Sequence, residues 1–83
     1  MMKYLLCGME STAKINCLLA LTKIDSERKI DALHAHFVKG YEVTSAAALC
    51  GLQQPKLTQS ITKLNEIAEL CEKFHELKLY ELK

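Results

Sequence analysis

Between Thr44 and Leu64 the chain reads TSAAALCGLQQPKLTQSITKL, and the glycine inside that run constrains the fold more than any other residue. Residues on both sides recur at helical spacing, so Gly51 falls between two helices, where the backbone needs a positive φ that glycine supplies without strain. Ala47, four residues earlier, has little bulk where two helices must cross closely. Leu52 drops between the helices, and Leu57, Ile61 and Leu64, spaced by four and three, bury the inner face of the second one. Thr44 is a good residue to cap the first helix. A helix, a turn of three to four residues and a second helix, over 44–64, make the pattern of a helix-turn-helix.

This burial leaves Gln53, Gln54, Pro55, Lys56, Thr58, Gln59 and Lys63 on or near the outer face. Glutamine can bond base edges bidentately, lysine can meet guanine or phosphate, threonine can do either, and a proline in the first turn costs no hydrogen bond. Gln53, Gln54, Lys56, Thr58, Gln59 and Lys63 are therefore the candidate DNA contacts, and Ala47, Gly51 and Leu52 form the turn that presents them. The same spacing also occurs in helical hairpins with a purely structural role. Charge weighs against that alternative: no Asp or Glu occurs from Ser45 to Asn65, whereas a solvated helix face ordinarily mixes both signs.

Eighty-three residues make one small domain with a modest core, and chains this short often gain stability by self-association as a dimer or higher oligomer. Ala, Leu, Lys and Glu dominate and no segment alternates with period two, so the fold class is all-α. The net charge of +1 is low for a nucleic-acid binder, but it is unevenly spread. Residues 1–64 carry +3 and residues 65–83 carry −2, which places a reading region near phosphates and an acidic last helix away from them. Low charge per monomer predicts modest affinity, with tight binding reached by several copies side by side.

Ahead of the hairpin, a first helix is expected from about Ser11 to Ile24, with Ile15, Leu18, Leu19 and Thr22 on one face and Cys17 and Leu21 widening it. Asp25 and Ser26 can cap a second helix that runs to Lys39 and ends at Gly40, with Ile30, Leu33, Phe37 and Val38 inward. After Gln54 no helix breaker occurs, and Leu57, Ile61, Leu64, Ile67, Cys71, Phe74, Leu77 and Leu79 continue one apolar stripe for up to six turns. Such a helix outruns the core of a small monomer. Ile67, Leu70, Phe74 and Leu77, with Leu18 and Leu21 of the first helix, are the expected oligomerisation residues; the alternative is a tail folded back on the first helix. Residues 1–10, MMKYLLCGME, read as a leader, either disordered or self-associating, ahead of a single domain over 11–83.

Other functions find little support. Cys7, Cys17, Cys50 and Cys71 are separated by 10, 33 and 21 residues, with no histidine at zinc-finger spacing, so no metal site is expected. Cys50 and Cys71 occupy apolar helical positions and read as reduced thiols acting as small hydrophobes. His34 and His36, two apart, diverge on a helix, and no nucleophile, carboxylate pair or phosphate loop accompanies them; an enzyme is not expected. No cofactor and no small-molecule ligand are expected either. No segment approaches the roughly 18 to 20 apolar residues that span a bilayer, which points to a cytoplasmic protein with no membrane partner.

From Ile24 to Leu70 the order of features is more specific than a generic hairpin. A Ser-Glu-Arg helix start at 26–28, an apolar helix ending Val38-Lys39-Gly40-Tyr41, a hairpin containing Cys50, and the closing Ser60, Leu64, Asn65 and Ile67 resemble the PapB family of fimbrial (adhesin biosynthesis) transcription regulators of enteric bacteria. The resemblance implies a small all-α protein that activates and represses an adhesin operon and binds A·T-rich double-stranded DNA as an oligomer. It places the reading helix at Gln54 onward and leaves open whether that helix enters the major groove or reads minor-groove shape. The chain departs from the family at Ala46–Ala48, where charge is common, and at Gln53, Gln54 and Pro55, so its recognised DNA sequence is expected to differ. A reading of another class is a helical interaction module that binds a second regulator or a recombinase through the hairpin and the acidic last helix.

Overall fold

A computed structural model describes the backbone of residues 5–81 and side chains through Phe74. Four helices, α1 (Thr12–Ala20), α2 (Glu27–Phe37), α3 (Val43–Leu49) and α4 (Gln54–Glu81), follow one another with no strand among the described residues. The core is one cluster in which Ile15, Leu18 and Leu19 of α1, Leu33 and Phe37 of α2, and Leu57, Leu64 and Ala68 of α4 close around Ala46 and Ala47 of α3. Ala32 and Ala35 are buried as well, and these small side chains let α2 lie close against the hairpin.

Helix ends follow local hydrogen bonding. Ser11 caps α1 through its hydroxyl oxygen, which accepts from the Lys14 amide at 3.1 Å. The helix stops at Ala20, short of the expected Ile24, because the Thr22 hydroxyl donates to the Leu19 carbonyl at 2.8 Å and accepts the Ile24 amide at 3.2 Å. A threonine side chain thus takes over backbone partners that a continuing helix would need. Ser26 holds the cap position of α2, as expected, although its side chain makes no capping bond. The hairpin begins at Val43 and not at Thr44: Val43 packs on the core from the first turn, Glu42 takes the cap position, and Thr44 points into solvent.

Residues 5–10 depart most from expectation. Far from standing outside a domain that begins at residue 11, they form a strap from the end of α2 to the middle of α4. Leu5 is 2% exposed within the core, and its amide donates to Asn65 Oδ1 at 3.1 Å. The Gly8 amide donates to the His36 carbonyl at 3.1 Å and the Glu10 amide to the Phe37 carbonyl at 3.0 Å, satisfying carbonyls left open at the end of α2. Gly8 has φ +72°, and a Cβ there would stand 2.9 Å from the Cα of Gly40, so only glycine fits this crossing. Residues 1–4 of the expected leader lie outside the described residues.

The last helix contains 28 residues, roughly 42 Å at 1.5 Å per residue, in a molecule whose longest dimension is 48 Å. It therefore outruns the other helices. Ala68 is its last buried residue among those whose side chains are described; Leu70 is 61% and Phe74 62% exposed. Cys71, expected at an apolar inward position, is exposed for the same reason. No helix is long and apolar enough to cross a membrane, among the described residues.

Candidate nucleic-acid interface

The corner that presents the interface is built by backbone bonds around Gly51. Its φ is +70°, the Gly51 amide donates to the Ala48 carbonyl at 3.3 Å, and the Leu52 amide reaches back to the Ala47 carbonyl at 2.8 Å. This double closure, with glycine in the left-handed conformation, ends α3 and turns the chain sharply. Ala47 is buried beneath the turn and Leu52 packs half-buried against the core. The next helix starts at once: the Gln53 carbonyl accepts from the Lys56 amide at 3.1 Å, and Pro55 sits in the first turn, where its missing N–H leaves nothing unsatisfied.

Along α4 the buried positions Leu57, Ser60, Leu64 and Ala68 follow the helical period. Ser60 donates its hydroxyl to the Lys56 carbonyl at 3.2 Å, so a polar side chain lies in the packed face without an open hydrogen bond. Gln53, Gln54, Lys56, Thr58, Gln59 and Lys63 are all exposed, as are Pro55 and Thr62. Among the described residues the ion pairs are Lys14 with Glu10 at 2.8 Å and Lys73 with Glu69 at 3.2 Å; Lys56 and Lys63 pair with no carboxylate. Glu66 is the first acid on this surface, one turn beyond Thr62. The face offers amides, hydroxyls and two unpaired cations over about three turns.

Two features of this surface escaped the reading of the sequence. Thr62 belongs with Thr58 and Gln59 by simple periodicity and could have been included. Arg28 could not: it is 23 residues from Gly51 in the chain, yet its guanidinium Nη1 lies 3.8 Å from where a Cβ on Gly51 would stand.

Of the residues expected at a self-association surface, Leu18 is 6% exposed and belongs to the monomer's own core, because the stripe it shares with Ile15 faces α2 and α4. Leu21, Leu70 and Phe74 are exposed and Ile67 is half-buried; Leu77 lies outside the residues whose side chains are described. The histidines diverge. His34 Nε2 lies 2.9 Å from Asn16 Oδ1, linking α2 to α1, and His36 Nδ1 lies 2.8 Å from the Tyr41 carbonyl. No group of three or more His, Cys, Asp or Glu could hold a metal ion among the described residues.

Comparison with known proteins agrees with this architecture. The crystal structure of FocB from E. coli superposes with a TM-score of 0.81 over 88% of this chain and 83% of that one, at 18% sequence identity. At that identity the likeness speaks for the fold alone. No curated protein sequence matches the chain significantly. The sequence model of the PapB family, described as adhesin biosynthesis transcription regulatory protein, matches residues 1–78. With nearly the whole chain matched, this protein belongs to the PapB family of adhesin biosynthesis transcription regulators, which act on transcription and are not enzymes.

Proposed function

We propose that this regulator binds A·T-rich promoter DNA of a fimbrial operon cooperatively, as an oligomer, and reads it with the outer face of α4 presented by the α3–α4 turn. The observation that carries this reading is the surface from Gln53 to Lys63, which has no acidic residue and two lysines without an ion pair among the described residues. Such a surface loses little on meeting phosphates, since no carboxylate must be pushed against them. The first turn of α4 also contains no acid, so the positive end of the helix dipole faces outward uncompensated.

Self-association follows from the distal half of α4. Leu70 and Phe74 continue the apolar stripe as exposed side chains beyond Ala68, Ile67 beside them is half-buried, and Leu21 is exposed at the end of α1. Neighbouring protomers that cover these side chains would convert modest single-site affinity into stepwise, cooperative binding. The protein would do this in the cytoplasm, where its operator is.

A charge reversal tests the reading. Lys56→Glu combined with Lys63→Glu should weaken binding by roughly tenfold or more in a mobility-shift titration and lower the salt slope by about 2. Both positions are exposed, so thermal stability should change by no more than about 0.5 kcal/mol. Unchanged DNA binding by the folded variant would defeat the proposal and assign the hairpin to contact with another protein, such as a second regulator or a recombinase.

A further inference from the structure

We propose that Arg28, on α2 and outside the hairpin, is a DNA-phosphate contact that clamps the backbone beside the α3–α4 turn; this rests on the reading of α4 as the DNA-binding helix. Arg28, Ala32 and Ala35 lie on one side of α2, four and three residues apart, and the two alanines are buried in the molecule's core. Arg28 continues that side past the edge of the core. Its long side chain therefore follows the hairpin surface instead of the open face of α2, and brings Nη1 3.8 Å from the Cβ position of Gly51.

Two further observations point outward. Arg28 is exposed, and it forms no ion pair among the described residues although Asp25, Glu27 and Asp31 surround it in sequence. A guanidinium without an ion pair keeps its five donors available for a planar, bidentate acceptor such as a phosphate. Its place next to the turn also matters, because the turn precedes Gln53 and Gln54, the first candidate contacts of α4. A phosphate held there would set how deeply the start of α4 enters the groove while contributing no sequence preference of its own.

A structural role predicts something else. A cation near the end of α3 could instead stabilise that helix terminus, which would affect folding and not salt dependence. The test compares wild type, Arg28→Ala, Arg28→Lys, Lys56→Ala and Lys63→Ala by mobility shift on A·T-rich promoter DNA and on random DNA at several salt concentrations, with thermal melts of each protein. Arg28→Ala should bind both DNAs about three- to tenfold more weakly at low salt and lose about 1 from the log–log salt slope, with its melting temperature unchanged. Arg28→Lys should keep the slope. An unchanged slope for Arg28→Ala, with or without a lower melting temperature, overturns the proposal. If Lys56→Ala and Lys63→Ala lose affinity while Arg28→Ala does not, the hairpin reading stands and Arg28 alone is removed from the interface. Wild type that binds neither DNA defeats the hairpin reading, and the phosphate contact falls with it.

Discussion

The two halves of α4 carry the same kind of apolar stripe and meet opposite fates. From Gln54 to Leu64 the stripe is matched by α2 and α3, so Leu57 and Leu64 vanish into the core and the polar side faces outward free of acid. Beyond Ala68 the stripe continues through Leu70 and Phe74, which are 61% and 62% exposed, among glutamates at 66, 69 and 72. Amphipathic periodicity makes a helix, but a neighbouring element decides whether its apolar side is core or surface. The division matches the charge split, and under the proposed function one continuous helix joins the DNA-reading face to the self-association face.

The sharpest way to break that comparison is to truncate each half in turn. Leu64→Ala should cost about 2–5 kcal/mol in urea or thermal unfolding, as core truncations that leave a cavity do. Phe74→Ala, at a 62% exposed position, should change the stability of the dilute protein by about 0.5 kcal/mol or less, while lowering the apparent mass at high concentration. Equal losses of stability would mean that the distal half is held in the core as firmly as the proximal half, and the contrast would collapse.

A smaller effect is expected at the corner that starts the proximal half. Gly51→Ala forces a Cβ into a backbone with φ +70° and should cost about 1–2 kcal/mol. Space is not the obstacle there, since the nearest atom to the added Cβ is Arg28 Nη1 at 3.8 Å. Heteronuclear spectra should show α3 and the start of α4 perturbed and the distal half unchanged. Shifts spread evenly along α4 would show that its two halves are not independent.

The smallest effect belongs to the strap. Burial pushes the Glu10 carboxyl up, but the Lys14 ammonium and the Leu6 amide, which donates to Glu10 Oε2 at 2.8 Å, outweigh it and hold the group below its ordinary value of 4.5. A carboxyl lowered on folding contributes stability above its unfolded value and loses it as pH falls through its folded value. Glu10→Gln should therefore lower stability slightly at neutral pH and flatten the acid limb of the stability curve below about pH 4.5, read by thermal melts across pH. A parallel acid limb in the variant would show that Glu10 has no part in it.

The order of the four helices, the turn at Gly51 and the exposed set from Gln53 to Lys63 were legible in the chain, because each depends on spacing within a few turns. Misreadings cluster where a residue meets something distant. Thr22 looked like part of an apolar face, yet its hydroxyl ends the helix. Leu18 looked available to a second copy and is consumed by the monomer's core. Leu5 and Gly8 looked like leader residues, because nothing in MMKYLLCGME announces carbonyls at His36 and Phe37 waiting for donors. The family resemblance read from Ile24 to Leu70 was supported by a match over residues 1–78, which includes the strap.

By itself the sequence determined the all-α class, the hairpin and the absence of acids on its outer face, because helical periodicity, glycine's left-handed conformation and the sign of a charge are local properties. Tertiary structure alone decided that residues 5–10 belong to the fold, that Ala68 is the last core residue of α4 among those whose side chains are described, and that Arg28 stands beside Gly51. Those outcomes depend on which faces meet across tens of residues, and burial and hydrogen-bond satisfaction settle that only once the helices have packed.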